Sequence, residues 1–403
     1  MSYDARIGKI LLHTAIQTGW HNGGKNIPFA ISGPPGIAKT AGIKQLAKKI
    51  EKKLETAGPD FEHMKGPFPA EIIVAPQRLP EDIGGLPIPM IEEKEVMSLP
   101  MHVARALKTA GQGIFVIDEF TSASQAMGGA CMTLVQDHLL GDIVLPEQVA
   151  MGACMNPPDH ATNGRPLTAA ESNRFLRIDW SLSFADWKDY QMGGEGVVSN
   201  PVLLPKDWEK THRRQAFSFL CSYLSKNPAQ FDAEKNLPQA QKAHDPWASP
   251  RSWENAGRMM AALMSLGYKP VSDVVNAALG GLVGEGSADA FTGWLTKLDL
   301  PDPEEVLAAK LDIAIKMLPE RGDKLQVALE AVCNVAQQQE HENHKGRWEK
   351  AWKILGPVVQ KQPDCALAAA KILAEPQPAG TKIPKEARLV YAVMKKAGIT
   401  LPQ

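Results

Sequence analysis

Cysteine is scarce in this chain, with five residues in 403. Cys131, Cys154, Cys221, Cys333 and Cys365 are odd in number, widely spaced, and form no C-x-x-C pair. That excludes a disulfide framework or a cysteine zinc site and fits a reducing compartment. Aromatic residues make up only 6%, and they form no clusters with basic residues of the kind that bind single-stranded nucleic acid. Neither charge sign dominates: 44 Lys and Arg stand against 45 Asp and Glu, a formal net charge of −1. No global field therefore draws in nucleic acid or an anionic membrane. No apolar run approaches the ~18 residues of a membrane helix. The stretch MSYDARIGKILLHTAIQTGW lacks the apolar core of a signal peptide. A cytoplasmic protein without membrane contact is expected. His13, His21, His63, His102 and His138 share no metal-ligand spacing and read as structural.

The length suggests two to three domains. IPFAIS at 27–32 reads as a buried strand, followed by a Gly/Pro-rich turn, GPPGIAKT at 33–40. A helix follows, with Ile43, Leu46, Ala47, Ile50 and Leu54 on one face. Further strands are expected at 71–75, 114–117, 149–155 and 175–180. A helix is expected over 122–140, closed by Gly141. The Pro/Gly-rich stretch 76–101 reads as a protruding β-hairpin with a Gly84-Gly85 hinge and exposed Ile88, Met90 and Met97. Alternating strands and helices imply an α/β, doubly wound parallel sheet that binds ligand at the carboxyl ends of its strands. The expected division is an α/β domain at 1–190, a linker at 191–207, a helical lid at 208–300 and a C-terminal helical region at 301–403. In that last region Leu325, Ala328, Leu329, Val332 and Val335 share one helical face.

GPPGIAKT matches the phosphate-loop pattern G-x-x-x-x-G-K-[ST], except that Ala38 replaces the second glycine. Gly33, Pro34, Pro35, Gly36, Ile37, Ala38, Lys39 and Thr40 are the candidate nucleotide-binding residues. Backbone N–H groups in such a loop cradle phosphates at a helix N-terminus. Lys39 would reach the β and γ oxygens, and the Thr40 hydroxyl would ligate Mg²⁺. Ala38 reads as a tolerated variant, one that fits if its φ is negative. IFVIDEF is an apolar strand ending in two acids. Asp118 is the second candidate metal ligand, and Glu119 the candidate general base for water. Asn156, at the end of strand 149–155, could hold that water or sense the γ-phosphate; the alternative is an Asn-Pro turn starter. Arg174 precedes the last strand and could act as an arginine finger on a neighbour's nucleotide, with Arg177 the next candidate. Arg251, at a helix start, could swing onto the γ-phosphate; the plainer alternative is an exposed first-turn arginine. The Gly128-Gly129 pair weakens the helix after the acids and suggests close approach of another backbone.

Taken together, the chain resembles the MoxR-like branch of AAA+ ATPases, in the helix-2-insert clade. The resemblance rests on GPPGIAKT (33–40), LPEDIGGLP (79–87), VIDEF (116–120), LGDIVLPEQVAMGACMNPPD (140–159), LTAAESNRF (167–175) and SPRS (249–252). It implies the AAA+ P-loop fold with a hairpin insert and ATP as the nucleotide. It also implies a homo-oligomeric ring, usually a hexamer, with each nucleotide at a subunit interface. Lys39 and Thr40 then belong to Walker A, and Asp118 and Glu119 to Walker B. Asn156 becomes sensor 1, Arg174 the trans-acting finger and Arg251 sensor 2. Members of this branch act as chaperone-like remodellers of a protein client, often with a von Willebrand A-type partner. The expected function is therefore ATP-driven protein remodelling. A nucleic-acid motor or loader, and a slow ATP-binding switch scaffold, are the competing readings.

Overall fold

The computed structural model describes residues 5–396, apart from 22–23, 93, 158–159, 161–163, 193, 195–196, 199, 240–243, 299, 338–341, 375–376, 379 and 382–383. The last two residues of the 140–159 stretch and parts of the expected linker lie outside the described residues. The chain divides into two compact units. One comprises 1–209 and 228–290, the other 210–227 and 291–403.

In the first unit the order is α1 (Ala5–Gln17), β1 (Phe29–Ser32), α2 (Lys39–Glu55), β2 (Ala70–Val74), α3 (Pro80–Gly84), β3 (Leu86–Met90) and β4 (Glu95–Leu99). Next come α4 (His102–Ala110), β5 (Gly113–Asp118), α5 (Gln125–Asp137), β6 (Leu139–Leu140), β7 (Ile143–Val144) and β8 (Val149–Met155). α6 (Ala169–Ser172), β9 (Leu176–Asp179) and α7 (Phe184–Gln191) follow. Five strands form one sheet in the order β2-β5-β8-β1-β9, and every pairing is parallel. All four residues of β1 and all seven of β8 are buried, as befits strands covered on both faces. The chain leaves β1 for the far edge, returns through β5 and β8, and then places β9 on the other side of β1. That reversal opens a crevice at the carboxyl end of β1. The fold class is the expected one: an α/β parallel sheet with a β-hairpin insert, followed by helical regions.

The hairpin is antiparallel, with Leu86 opposite Leu99. Its base is tied to a second, unexpected hairpin, β6–β7. Gly141 N–H donates to Ile83 O at 2.8 Å, and Asp142 N–H to Ser98 O at 3.2 Å. Met97 is exposed as expected, but Ile88 and Met90 are half-buried, and Leu86, Ile91 and Val96 are the open apolar residues. The helix expected to reach residue 140 stops at Asp137. His138 adopts a left-handed cap (φ 58) and its N–H closes on Leu134 O. Gly141, also at positive φ, turns β6 into β7 instead.

α8 (Trp208–Lys226) passes from the first unit into the second. α9 (Ala233–Asn236), α10 (Pro250–Ser265) and α11 (Asp273–Val283) belong to the first unit, and α12 (Glu285–Leu298) begins there. The second unit adds α13 (Pro303–Ala308), α14 (Leu311–Met317), α15 (Gly322–Ala336), α16 (His344–Lys361), α17 (Pro363–Ala374) and α18 (Lys385–Lys396). Its core contains the predicted face Leu325, Ala328, Leu329, Val332 and Val335, packed with Trp348 and Trp352. No described helix is long and apolar enough to cross a membrane.

Burial lowers the pKa of His13 to about 4. Burial, then the nearby Lys25 charge, does the same to His138. Both are at most 4% exposed. The unfolded chain takes up these protons as pH falls below 6.5, whereas the fold refuses them until about 4. Stability is thus complete above pH 6.5 and is lost as pH falls through that window, by about 1–2 kcal/mol per histidine at pH 5. A melting temperature that drops between pH 7 and 5, less steeply in His138→Asn, is the expected result.

Candidate active site

β1 delivers the phosphate loop into the crevice. Pro34, Pro35 and Gly36 are exposed, Gly33 is buried, and Ile37 and Ala38 are half-buried. Trp180, just past β9, donates its indole N–H to Ile37 O at 3.2 Å and braces the loop from the side. Gly36 has φ 82, which glycine adopts freely. Ala38 has φ 60 and ψ 31 as the residue before α2, so the condition for an unstrained fit is not met. The loop must twist left-handed there to aim its N–H groups inward, and the motif's usual glycine is the residue without a Cβ to resist. Alanine bears a strain of about 1 kcal/mol. Ala38→Gly should bind nucleotide at least as tightly, whereas the β-branched side chain of Ala38→Val should abolish binding. Titration of both variants with a fluorescent nucleotide checks this.

Lys39 opens α2 and is buried. Its ammonium donates to Gly33 O at 2.7 Å, Pro34 O at 2.9 Å and Asn156 Oδ1 at 2.9 Å. Burial lowers its pKa, against the opposing influence of Cys154 and Asp118. Thr40 donates its hydroxyl to Asp118 Oδ2 at 2.8 Å. The other Asp118 oxygen accepts the Glu119 N–H at 2.9 Å. Glu119 is exposed and left-handed (φ 54) at the point where β5 gives way to a short turn. Lys39, Thr40, Asp118 and Asn156 thus meet where β1, β5 and β8 end. Thr40 and Asp118 present hard oxygen donors of the type magnesium takes, with waters and phosphate filling its other positions. Among the described residues no group of three or more His, Cys, Asp or Glu could hold a metal ion.

The arginines divide. Arg174 stands at the amino end of β9, opposite to the phosphate-loop end. β1 and β9 run in register from Phe29↔Leu176 to Ser32↔Asp179, so the strand itself separates the two ends by roughly 13 Å. Arg174 donates to Ala170 O at 2.8 Å and Gln136 Oε1 at 3.2 Å. Burial and the nearby Arg251 charge lower its pKa. Arg251 is exposed in the first turn of α10. That turn is held to the same corner by Ser249, whose hydroxyl donates to Asn173 Oδ1 at 2.9 Å. Arg177 is instead engaged with Asp245 at 3.2 Å and Asp179 at 3.4 Å.

Two features escaped sequence reasoning. The first is a cavity of about 480 Å³ beside Asp179, lined by residues that include Ile7, Gly8, Trp247, Gly281 and Gly284. Asp179 in its wall pairs with Ser32, the residue before the phosphate loop. Its lining comes from α1, β9, α9, the loop before α10, and α11–α12, a union no local motif announces. The second is a bidentate pair, with Arg165 donating to Glu171 Oε1 at 2.6 Å and Oε2 at 2.7 Å. This pair explains Gly128: a Cβ there would overlap the Arg165 guanidinium and the Glu171 carboxylate. Its close neighbour is an ion pair, not the backbone expected. Gly128→Ala improves helix propensity by about 1 kcal/mol, yet wedging apart a bidentate pair whose carboxylate is buried costs more than that, up to about 3 kcal/mol. A lowered melting temperature is expected.

No protein-family model and no curated protein matches the chain. Among solved structures it is similar to a candidate ATPase from Cytophaga hutchinsonii, with 18% identity and a TM-score of 0.43. The match covers 70% of this chain and 84% of that one. At that TM-score the likeness carries no weight on function.

Proposed function

We propose that the chain is an ATP-hydrolysing subunit of a homo-oligomeric ring that remodels or matures a protein client, in the manner of MoxR-like AAA+ ATPases. The supporting observation is the meeting of Lys39, Thr40, Asp118 and Asn156 at adjacent strand ends, next to an exposed Glu119. Phosphate oxygens offer the Lys39 ammonium charged acceptors in place of the neutral carbonyls it now bonds, and charged acceptors bind more strongly. The loop N–H groups receive the phosphates, and the cavity beside Asp179 receives the base. Thr40 and Asp118 would hold Mg²⁺, which would supply charge neutralisation for the bound phosphates. Asn156 positions the attacking water, and Glu119 accepts its proton.

The amino-end placement of Arg174 supports a role on a neighbour's phosphates. Arg174 cannot span the sheet to its own. Arg251, beside it, shares that role in this reading. Arg177 is committed to carboxylates of its own chain and is the weaker finger candidate. The hexamer, the protein client and a von Willebrand A-type partner rest on the sequence resemblance.

With Mg-ATP the purified chain is expected to release phosphate, and its mass by light scattering to rise with nucleotide. Lys39→Ala should abolish both. Phosphate release that survives Lys39→Ala overturns the reading, as does a monomer without hydrolysis. Hydrolysis stimulated by DNA would favour the nucleic-acid motor.

A further inference from the structure

Arg165 belongs to none of the motifs above, yet it ties two of them together. Its N–H donates to Thr121 O at 2.8 Å, and its Nε to Ala123 O at 3.3 Å. Both acceptors lie in the turn that begins at Glu119. Its guanidinium stands 5.7 Å from the centre of the Phe120 ring. The same guanidinium makes the fork-to-fork pair with Glu171, which is 4% exposed. Glu171 is the third residue of α6, where its carboxylate also accepts the Thr168 N–H at 2.7 Å. The Arg174 N–H in turn donates to Glu171 O at 3.1 Å. One side chain therefore joins the turn after the water-activating carboxylate to the four-residue helix that leads into the finger. A planar fork bonded at both ends fixes orientation as well as distance, which an ammonium cannot do.

We propose that Arg165 is a positioning residue that sets Arg174 for the neighbouring subunit's nucleotide. The inference rests on the ring-ATPase reading. In its terms, Arg165 is the strut through which the state of a subunit's own site reaches the arginine it lends. α6 is too short to hold its direction alone. Without the strut it keeps its capping bonds but loses its tie to the sheet's catalytic edge.

The test is Arg165→Met in the full-length chain, with wild type and Lys39→Ala alongside. The expected result is a kcat lowered ~10- to ~100-fold, as for a misplaced catalytic group, with KM for ATP changed less than about twofold because the phosphate loop is untouched. Mixing supplies the readout that a merely structural role would not move. Lys39→Ala subunits do not hydrolyse, but they present an intact Arg174. Adding them to Arg165→Met subunits should raise phosphate release above that of either alone. Arg165→Lys keeps the charge and loses the fork. It should reproduce the defect at smaller size, and it carries the test if Arg165→Met does not fold. Unchanged kcat in both variants overturns the inference while leaving the ATPase reading intact. Lowered kcat without rescue on mixing also overturns it, because Arg165 would then act on its own subunit's carboxylate. A wild type without Lys39-dependent hydrolysis overturns the underlying reading.

Discussion

Glu119→Gln is expected to lower ATP turnover by about 10²–10⁴-fold while leaving nucleotide binding intact. Glutamine keeps the shape of the side chain and removes only its basicity. The left-handed backbone at residue 119 treats both residues alike, since neither is β-branched. The Asp118 contacts to Thr40 and to the residue-119 N–H do not involve the altered side chain, so the metal and phosphate ligands stay in place. In the proposed ring the mutant should trap ATP, measured as retained nucleotide and a persistently high mass. Full turnover in Glu119→Gln would show that another group accepts the proton.

The second large effect is expected at Arg174. Its replacement by alanine removes two hydrogen bonds at a half-buried corner, a stability cost of about 1–3 kcal/mol. Hydrolysis should fall by about 10³-fold or more, the usual worth of an arginine finger. The two effects separate if, as proposed, Arg174 acts on another subunit. Arg174→Ala subunits keep their own Lys39 and Glu119, so Lys39→Ala subunits with an intact Arg174 should restore part of the activity. Normal hydrolysis in Arg174→Ala would move the role elsewhere. Arg251 would be the first substitute to test, because it shares the corner and its charge is felt there.

Much of the sheet was readable because its strands are short apolar runs ended by chemistry. The expected strand at 149–155 is β8 residue for residue, and the others fall within two residues of the observed ends. Apolar runs bounded by Gly, Pro and acids mark buried parallel strands well. Backbone conformation was less accessible. Alanine carries no signal that position 38 is left-handed; only the motif's usual glycine hinted at it. The end of α5 was misplaced for a related reason, because Gly141 is the more obvious cap and His138 took the left-handed position first. The β6–β7 hairpin has two-residue strands, below the length at which alternation can be seen.

The amino-acid sequence by itself determined the α/β class, the order of the elements and the residues at the carboxyl ends of β1, β5 and β8. Each of these depends on local composition and on periodicity over a few residues. Tertiary structure decided the rest. It brought Lys39 to Asn156, 117 positions apart, and lined the cavity beside Asp179 from five separate segments. It filled the space over Gly128 with the Arg165–Glu171 pair. It also set Arg174 at the end of the sheet away from its own phosphate loop. Strand order and the direction of each strand govern these placements, and both follow from how the whole chain packs.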